Sequence, residues 1–225
     1  MAPKRTIYLL RHGETEQEGD RRLIGQLDVP LNETGFRQAR WWRQELASVS
    51  FERCCCSDLL RSLQTADTLA GLCRGPVEVL PPLREIHLGE WQGLSTAEIQ
   101  SRFPGEWERR GKDFVSFRPR GGESFSDLVD RAIPVFEQIL DRLTGKTLIV
   151  AHAGVNRAIL CRVLGMPLAN LFRIGQGFGA MNIIDCSQAG AQLSALNQLP
   201  ILCPPGAAYQ PSGSGRTRSM SSTKS

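Results

Sequence analysis

No stretch of this chain stays apolar for the about 20 residues that a membrane-spanning helix needs, so a helical membrane protein is excluded. The opening MAPKRTIYLL is basic and then apolar only from Ile7 to Leu10, too short for the core of a secretory signal, and a cytoplasmic protein is expected. No two cysteines are spaced as CxxC, and their number, seven, is odd. Cys54, Cys55 and Cys56 are consecutive, so their side chains alternate across a strand. Reduced, buried thiols are expected, not a zinc site or a disulfide framework. Charge of one sign is scarce as well. The net charge is +4, and Arg216, Arg218 and Lys224 in the last segment supply three of it, which leaves about +1 for the body. That excludes the broad basic face of a nucleic-acid-binding protein. Histidine is scarce too, with three in 225 residues.

What is present fits an ordinary globular enzyme. At 225 residues, 41% hydrophobic and 22% charged, one domain with a sizeable core is the default. Strand and helix patterns alternate along the chain. Thr6 to Leu10 is a buried strand, and Asn32 caps a helix with Phe36, Ala39, Trp42 and Leu46 on its apolar face. Phe51 to Cys56 is a second strand. Asp58 then caps a helix with Leu63, Ala66 and Ala70 on one face. Val77 to Leu80 is a short strand closed by Pro81 and Pro82. Residues 86–123, rich in Gly, Trp, Arg and Phe, form a small cap with short helices. Ser124 and Asp127 open a long helix that buries Leu128, Ala132, Phe136, Ile139 and Leu143, with a kink expected at Pro134. The strand Thr147 to Ala151 and a helix from Val155 to about Leu164 follow. Met181 to Cys186 and Gln192 to Leu196 complete the strands as a hairpin. The expected fold is α/β: a mostly parallel open sheet with helices on both faces and a small cap insertion, one unit over residues 1–203. The Pro, Gly, Ser and Arg composition of residues 204–225 predicts a disordered tail.

Two of the three histidines end buried-strand patterns: Leu9-Leu10-Arg11-His12-Gly13 and Val150-Ala151-His152-Ala153-Gly154. Ligands of open α/β sheets bind at the carboxyl ends of strands. If these two strands are parallel neighbours, both imidazoles meet in one crevice beside Arg11. A guanidinium next to a strand-end imidazole suits an anion, because its planar fork matches phosphate or carboxylate. Arg61, in the first turn of a helix, adds a second cation where free N–H groups also favour anions. Glu85 and Glu90 are both candidates for an acid, and the residues alone do not choose between them.

The motifs RHGET, SDLLRSLQTA, LREIHLGEWQG and VAHAGVNR occur in the order found in the histidine phosphatase superfamily. From about residue 6 to residue 186 the chain resembles its phosphoglycerate-mutase-like branch. GQLDVPLNETG and GMPLANLFRIGQGFGAMNIID are similar to the α-ribazole phosphatase-like members.

The resemblance implies that His12 attacks phosphorus and that Arg11, Arg61 and His152 hold the phosphoryl oxygens. Glu85, from the LRE position, would serve as acid and then base, which settles the choice against Glu90. Thr15, Gln26 and Ala153 are implied as substrate-binding residues. His152 is expected to be cationic when phosphate is bound. No metal and no cofactor is implied. Relatives with mutase activity carry Asn where this chain has Glu18, and its segment between Glu85 and His152 is shorter than a mutase lid. Both departures favour hydrolysis, since a phosphatase must admit water to the phosphohistidine.

The expected function is a metal-independent phosphomonoesterase acting on a small phosphorylated metabolite, with α-ribazole 5′-phosphate as the specific candidate. Phosphoglycerate mutase and a non-catalytic phosphate-binding module are the alternatives. Neither nucleic acid nor membrane is an expected partner, and no oligomer is indicated. His87 is expected on the pocket rim, Glu14 as an orienting group, and Trp41 and Trp42 as packing residues.

Overall fold

The computed structural model describes residues 5–16, 22–188 and 190–202. The expectations for Glu18 and for the tail at 204–225 lie outside the described residues. Six strands form one sheet: β1 (Arg5–Arg11), β2 (Arg53–Cys56), β3 (Glu78–Val79), β4 (Lys146–Ala151), β5 (Met181–Ser187) and β6 (Gly190–Gln198). Their order is β3-β2-β4-β1-β5-β6. The first four are mutually parallel, while β5 runs antiparallel to β1 and to β6. The sheet is therefore mostly parallel with an antiparallel hairpin at one edge, and the chain has the α/β fold anticipated.

Alternation along the strands builds two cores. Ile7, Leu9, Cys55, Ile149 and Ala151 point to one face and pack with α5 (Phe125–Asp141) and α6 (Ala153–Leu164). Leu10, Cys54, Cys56, Leu148 and Val150 point to the other and pack with α1 (Glu33–Glu45) and α2 (Leu60–Leu69). Strands buried on both faces read as continuous apolar runs, as IYLL and LIVA do here. The face of α5 is buried as its spacing predicts, and each fully buried Leu128 or Phe136 contributes about 1.5–3 kcal/mol of transfer free energy. Ser124 and Asp127 close a reciprocal capping box at its start, and the helix continues through Pro134, which faces solvent.

Several local expectations change. Asn32 does cap α1, accepting from Gly35 N, and Ala39, Trp42 and Leu46 are buried as expected, but Phe36 is only half-buried and Gly35 and Gln38 join the buried face. Asp58 does not cap α2. Its carboxylate pairs with Arg84 at 2.5–2.7 Å, and the cap position falls to Leu59 with no side-chain bond. The buried face of α2 is Arg61, Ser62, Thr65, Ala66 and Leu69, rotated from the expected one because the helix turns polar groups toward the site. Ala70 begins a separate 3-10 turn.

The cysteine expectation is corrected. Cys54 and Cys73 are joined by a disulfide. Phe51 exchanges backbone hydrogen bonds with Leu72 and Arg74, which brings Cys73 alongside Cys54 with 6.1 Å between Cα atoms. That approach depends on tertiary pairing of a loop, so cysteine spacing carries no trace of it. Cys55, Cys56, Cys161 and Cys186 are free.

Residues 86–123 contain a 3-10 turn at Gly89–Trp91 and two short helices, α3 (Thr96–Arg102) and α4 (Glu106–Lys112). Trp91 is fully buried and stacks near Trp107 and Phe117, so the segment has its own aromatic anchor. No helix among the described residues is long and apolar enough to cross a membrane.

Candidate active site

Strands β1 and β4 end in register, Arg11 opposite Ala151, and His12 N donates to Ala151 O at 3.0 Å. The next residue of β4's chain is His152, at the N-cap of α6. Parallel pairing therefore places the two imidazoles side by side, with ring centroids 5.0 Å apart. His12 is 4% exposed and His152 has no exposed surface.

The hydrogen bonds fix the His12 tautomer. Its Nδ1 lies 2.7 Å from Gly13 O, and a carbonyl only accepts, so Nδ1 carries the hydrogen. Nε2 then holds the lone pair, and Arg61 Nε donates to it at 3.3 Å. Burial holds the His12 pKa well below 6.5, and the positive charges of Arg61 and Arg11 push in the same direction. Burial likewise holds His152 low, helped by Arg61, His12, Arg11 and Arg131. Both rings are neutral near pH 7.

The two arginines are anchored by backbone carbonyls. Arg61 donates to Leu27 O at 2.8 Å and Gly25 O at 2.6 Å. Arg11 donates to Gln176 O at 2.6 Å and stacks 3.9 Å from the Phe178 ring centroid. Gln176 is itself held by Asn182 and Asn156 in a buried amide cluster. Carbonyl anchors hold each guanidinium fork in a fixed orientation.

Glu85 lies on the wall of the same cavity. Its carboxylate accepts from Ile86 N at 2.9 Å and from Gly154 N at 3.1 Å. A Cβ on Gly154 would overlap Glu85 Oε1, so only glycine allows this approach. Arg131 clamps the loop by donating to the carbonyls of Pro82, Arg84 and Glu85 and to both oxygens of Glu123. Glu90 is exposed and faces Arg120 at 3.4 Å.

These groups open onto a cavity of about 470 Å³ whose wall includes Arg11, His12, Thr15, Arg61 and Glu85. The segment 86–123 contributes Leu88, Thr96, Trp107 and Arg110, and Phe172 and Phe178 close it. Gln26 is not on this wall. Its side chain donates to Glu85 O and braces that loop. Ala153 begins α6 and is also absent from the wall. His87 Nδ1 accepts from Gly89 N, and Glu14 accepts from Asn32, both bracing loops. Among the described residues, no group of three His, Cys, Asp or Glu could hold a metal ion.

Sequence reasoning missed Thr65, Arg131, Gln176 and Asn182. Thr65 accepts from Gly13 N and donates to Arg61 O, tying the two motifs together. Its place four residues after Arg61 was the available signal, since i and i+4 share a helix face.

One strand-end imidazole, two guanidiniums and a carboxylate line one cavity, while the second imidazole, His152, lies beside His12, fully buried and absent from the wall. The chain matches the histidine phosphatase superfamily (branch 1) over residues 7–199 and belongs to that family. It is 34% identical over 174 residues to a glucosyl-3-phosphoglycerate phosphatase of Mycolicibacterium vanbaalenii, covering 74% of this chain and 77% of that one. It is 28% identical over 200 residues to an adenosylcobalamin/α-ribazole phosphatase of Escherichia coli, covering 87% and 97%. The solved α-ribazole phosphatase of Shigella flexneri superposes with a TM-score of 0.80 at 27% identity, covering 88% and 99%. The chain is a phosphatase of this superfamily, a hydrolase of phosphate monoesters.

Proposed function

We propose that the protein hydrolyses a small phosphomonoester through a phosphohistidine on His12. Nε2 of His12 attacks phosphorus in line with the ester oxygen. The P–O bond breaks as the N–P bond forms, and Glu85 gives its proton to the leaving oxygen. Glu85, now a carboxylate, takes a proton from a water that attacks the phosphohistidine, which returns His12 and releases phosphate. Arg11, Arg61 and His152 hold the equatorial oxygens, where phosphoryl transfer concentrates charge. The observation that carries this reading is the bond from His12 Nδ1 to Gly13 O, which leaves the Nε2 electron pair free of a proton.

The test is p-nitrophenyl phosphate hydrolysis in EDTA by wild type and His12→Ala, with acid-quenched enzyme assayed for labelled phosphate. Loss of turnover and of label in the variant is expected. Equal rates would sink the mechanism, and loss of wild-type turnover in EDTA would point to a metal.

For the substrate we propose α-ribazole 5′-phosphate, whose base would lie on Trp107 and Phe172 of the cavity wall. A second reading has its own observation. Arg110 is on the wall, near the rings of Trp107 and Phe172, and burial lowers its pKa, with no ion pair to it among the described residues. A cation so placed favours a carboxylate-bearing phosphate such as glucosyl-3-phosphoglycerate. Phosphate release from both compounds, by wild type and Arg110→Ala, decides between them: loss confined to the carboxylate substrate supports the second. Conversion of 3-phosphoglycerate to 2-phosphoglycerate without free phosphate would overturn hydrolysis in favour of a mutase.

A further inference from the structure

We propose that Ser57 is a positioning residue for this reaction: its hydroxyl fixes His152 as the tautomer with hydrogen on Nδ1, so that the second imidazole offers an N–H donor to the transferring phosphoryl group. The inference rests on the reading of His152 as an oxygen-holding group.

Ser57 follows β2 directly and has no exposed surface. Its Oγ lies 2.6 Å from His152 Nε2 and accepts from Leu59 N at 3.4 Å. His152 Nδ1 is buried and has no partner. A hydroxyl has one hydrogen and two lone pairs, and a neutral imidazole has one donor and one acceptor nitrogen. Two assignments are possible. If Nε2 carried the hydrogen, Ser57 Oγ would receive from both Nε2 and Leu59 N. Its own hydrogen would then be buried with no acceptor among the described residues. If Ser57 donates to Nε2, its hydrogen and one lone pair are used, and Nε2 is satisfied. Buried polar groups are paired wherever they can be, so the second assignment holds. The ring hydrogen is then on Nδ1, the one nitrogen left for a ligand.

The two histidines thus make opposite offers. His12 presents an electron pair at Nε2, because Gly13 O takes its Nδ1 hydrogen. His152 presents a hydrogen at Nδ1, because Ser57 occupies its Nε2. One must attack phosphorus and the other must hold an oxygen, and the Gly13 carbonyl and the Ser57 hydroxyl divide these tasks. When a bound dianion draws a second proton onto Nε2, the Ser57 hydroxyl can turn to accept it, and Nδ1 keeps its hydrogen throughout.

The experiment is long-range ¹H–¹⁵N correlation of the imidazoles in ¹⁵N-labelled enzyme near pH 7, with three histidines to resolve and His152→Gln for assignment. Wild type is expected to show His152 with hydrogen on Nδ1. Ser57→Ala should lose that preference and lose about 10- to 100-fold in kcat, with a smaller change in KM. Ser57→Thr, which keeps the hydroxyl, should retain the wild-type tautomer and recover most of the rate. Hydrogen on Nε2 in the wild type would overturn the proposal, as would an unchanged kcat and tautomer in Ser57→Ala. Full activity in His152→Gln would instead remove the role of His152, while the tautomer measurement reports on Ser57 independently.

Discussion

Acidification from pH 7 toward pH 5 should destabilise this protein steeply, with His12 and His152 setting the slope. Both are buried, and burial first, then the charges of Arg61 and Arg11, hold their folded pKa values well below 6.5. In the unfolded chain each titrates near about 6.5. Above that pH neither state binds a proton at these rings, and their contribution to stability is intact. Below it the unfolded chain gains two protons that the folded chain refuses, so stability falls as pH drops from about 6.5 toward the folded pKa values. Each ring contributes about 1.4 kcal/mol per pH unit, so the pair gives about 2.7 kcal/mol per unit. Each unfolded ring is already half-protonated at about pH 6.5, so as long as the folded rings stay neutral the loss down to pH 5 is about 3 kcal/mol, a large part of the about 5–15 kcal/mol that holds a typical domain together. Carboxylates held low by partners, such as Asp58 beside Arg84, lose their contribution only below about pH 4, outside this window. Urea unfolding at half-unit pH steps, read by the four tryptophans, measures the slope. His12→Asn and His152→Gln should each halve it. A wild-type midpoint that stays flat from pH 6.5 to pH 5, or one that falls as steeply in both variants as in the wild type, would refute the reasoning.

Other outcomes follow from the same contacts. Glu85→Gln should slow hydrolysis of an alkyl phosphate by about 10²–10³-fold, but p-nitrophenyl phosphate much less, because nitrophenolate leaves without a proton; equal losses on both substrates would deny Glu85 the acid role. Gly154→Ala should show the same leaving-group pattern, because the added methyl displaces the Glu85 carboxylate, with little change in the urea midpoint. Arg61→Lys should reduce kcat/KM by about 10²-fold, since a compact ammonium lacks the planar fork whose two ends reach Leu27 O and Gly25 O separately. Alkylation under denaturing, non-reducing conditions should leave Cys54 and Cys73 unmodified, and reduction should cost about 3 kcal/mol for a loop of this length.

The parts of the structure set by local chemistry were readable from the residues. The apolar runs before His12 and His152 became adjacent parallel strands, and the Ser124 and Asp127 box opened α5 where its spacing indicated. The pairing of the imidazoles followed from those runs, while the choice of Glu85 over Glu90 needed the family motif. What escaped notice was tertiary. Asp58 looked like a cap, but a bidentate bond to Arg84 outweighed a single bond to a helix-end N–H. The buried amides of Gln176 and Asn182 sit in a loop and a strand that show no polar pattern of their own. Their value lies in holding Arg11, and nothing near Arg11 in the chain announces it. Arg131 is one arginine among many on a helix, and only the fold brings three loop carbonyls to it.

The order of strands has a consequence for synthesis. The strand made first, β1, lies in the interior of the sheet, and both of its neighbours, β4 and β5, come from the last part of the chain. A nascent chain emerging from the ribosome therefore holds an apolar ribbon with both edges unpaired until β4 has been translated, and with one edge unpaired until β5 follows. Such delayed, distant pairing slows folding and exposes the ribbon to association. Arg11 and His12 sit at the end of that ribbon, so phosphate-binding capacity should arrive abruptly, as the closing step of assembly.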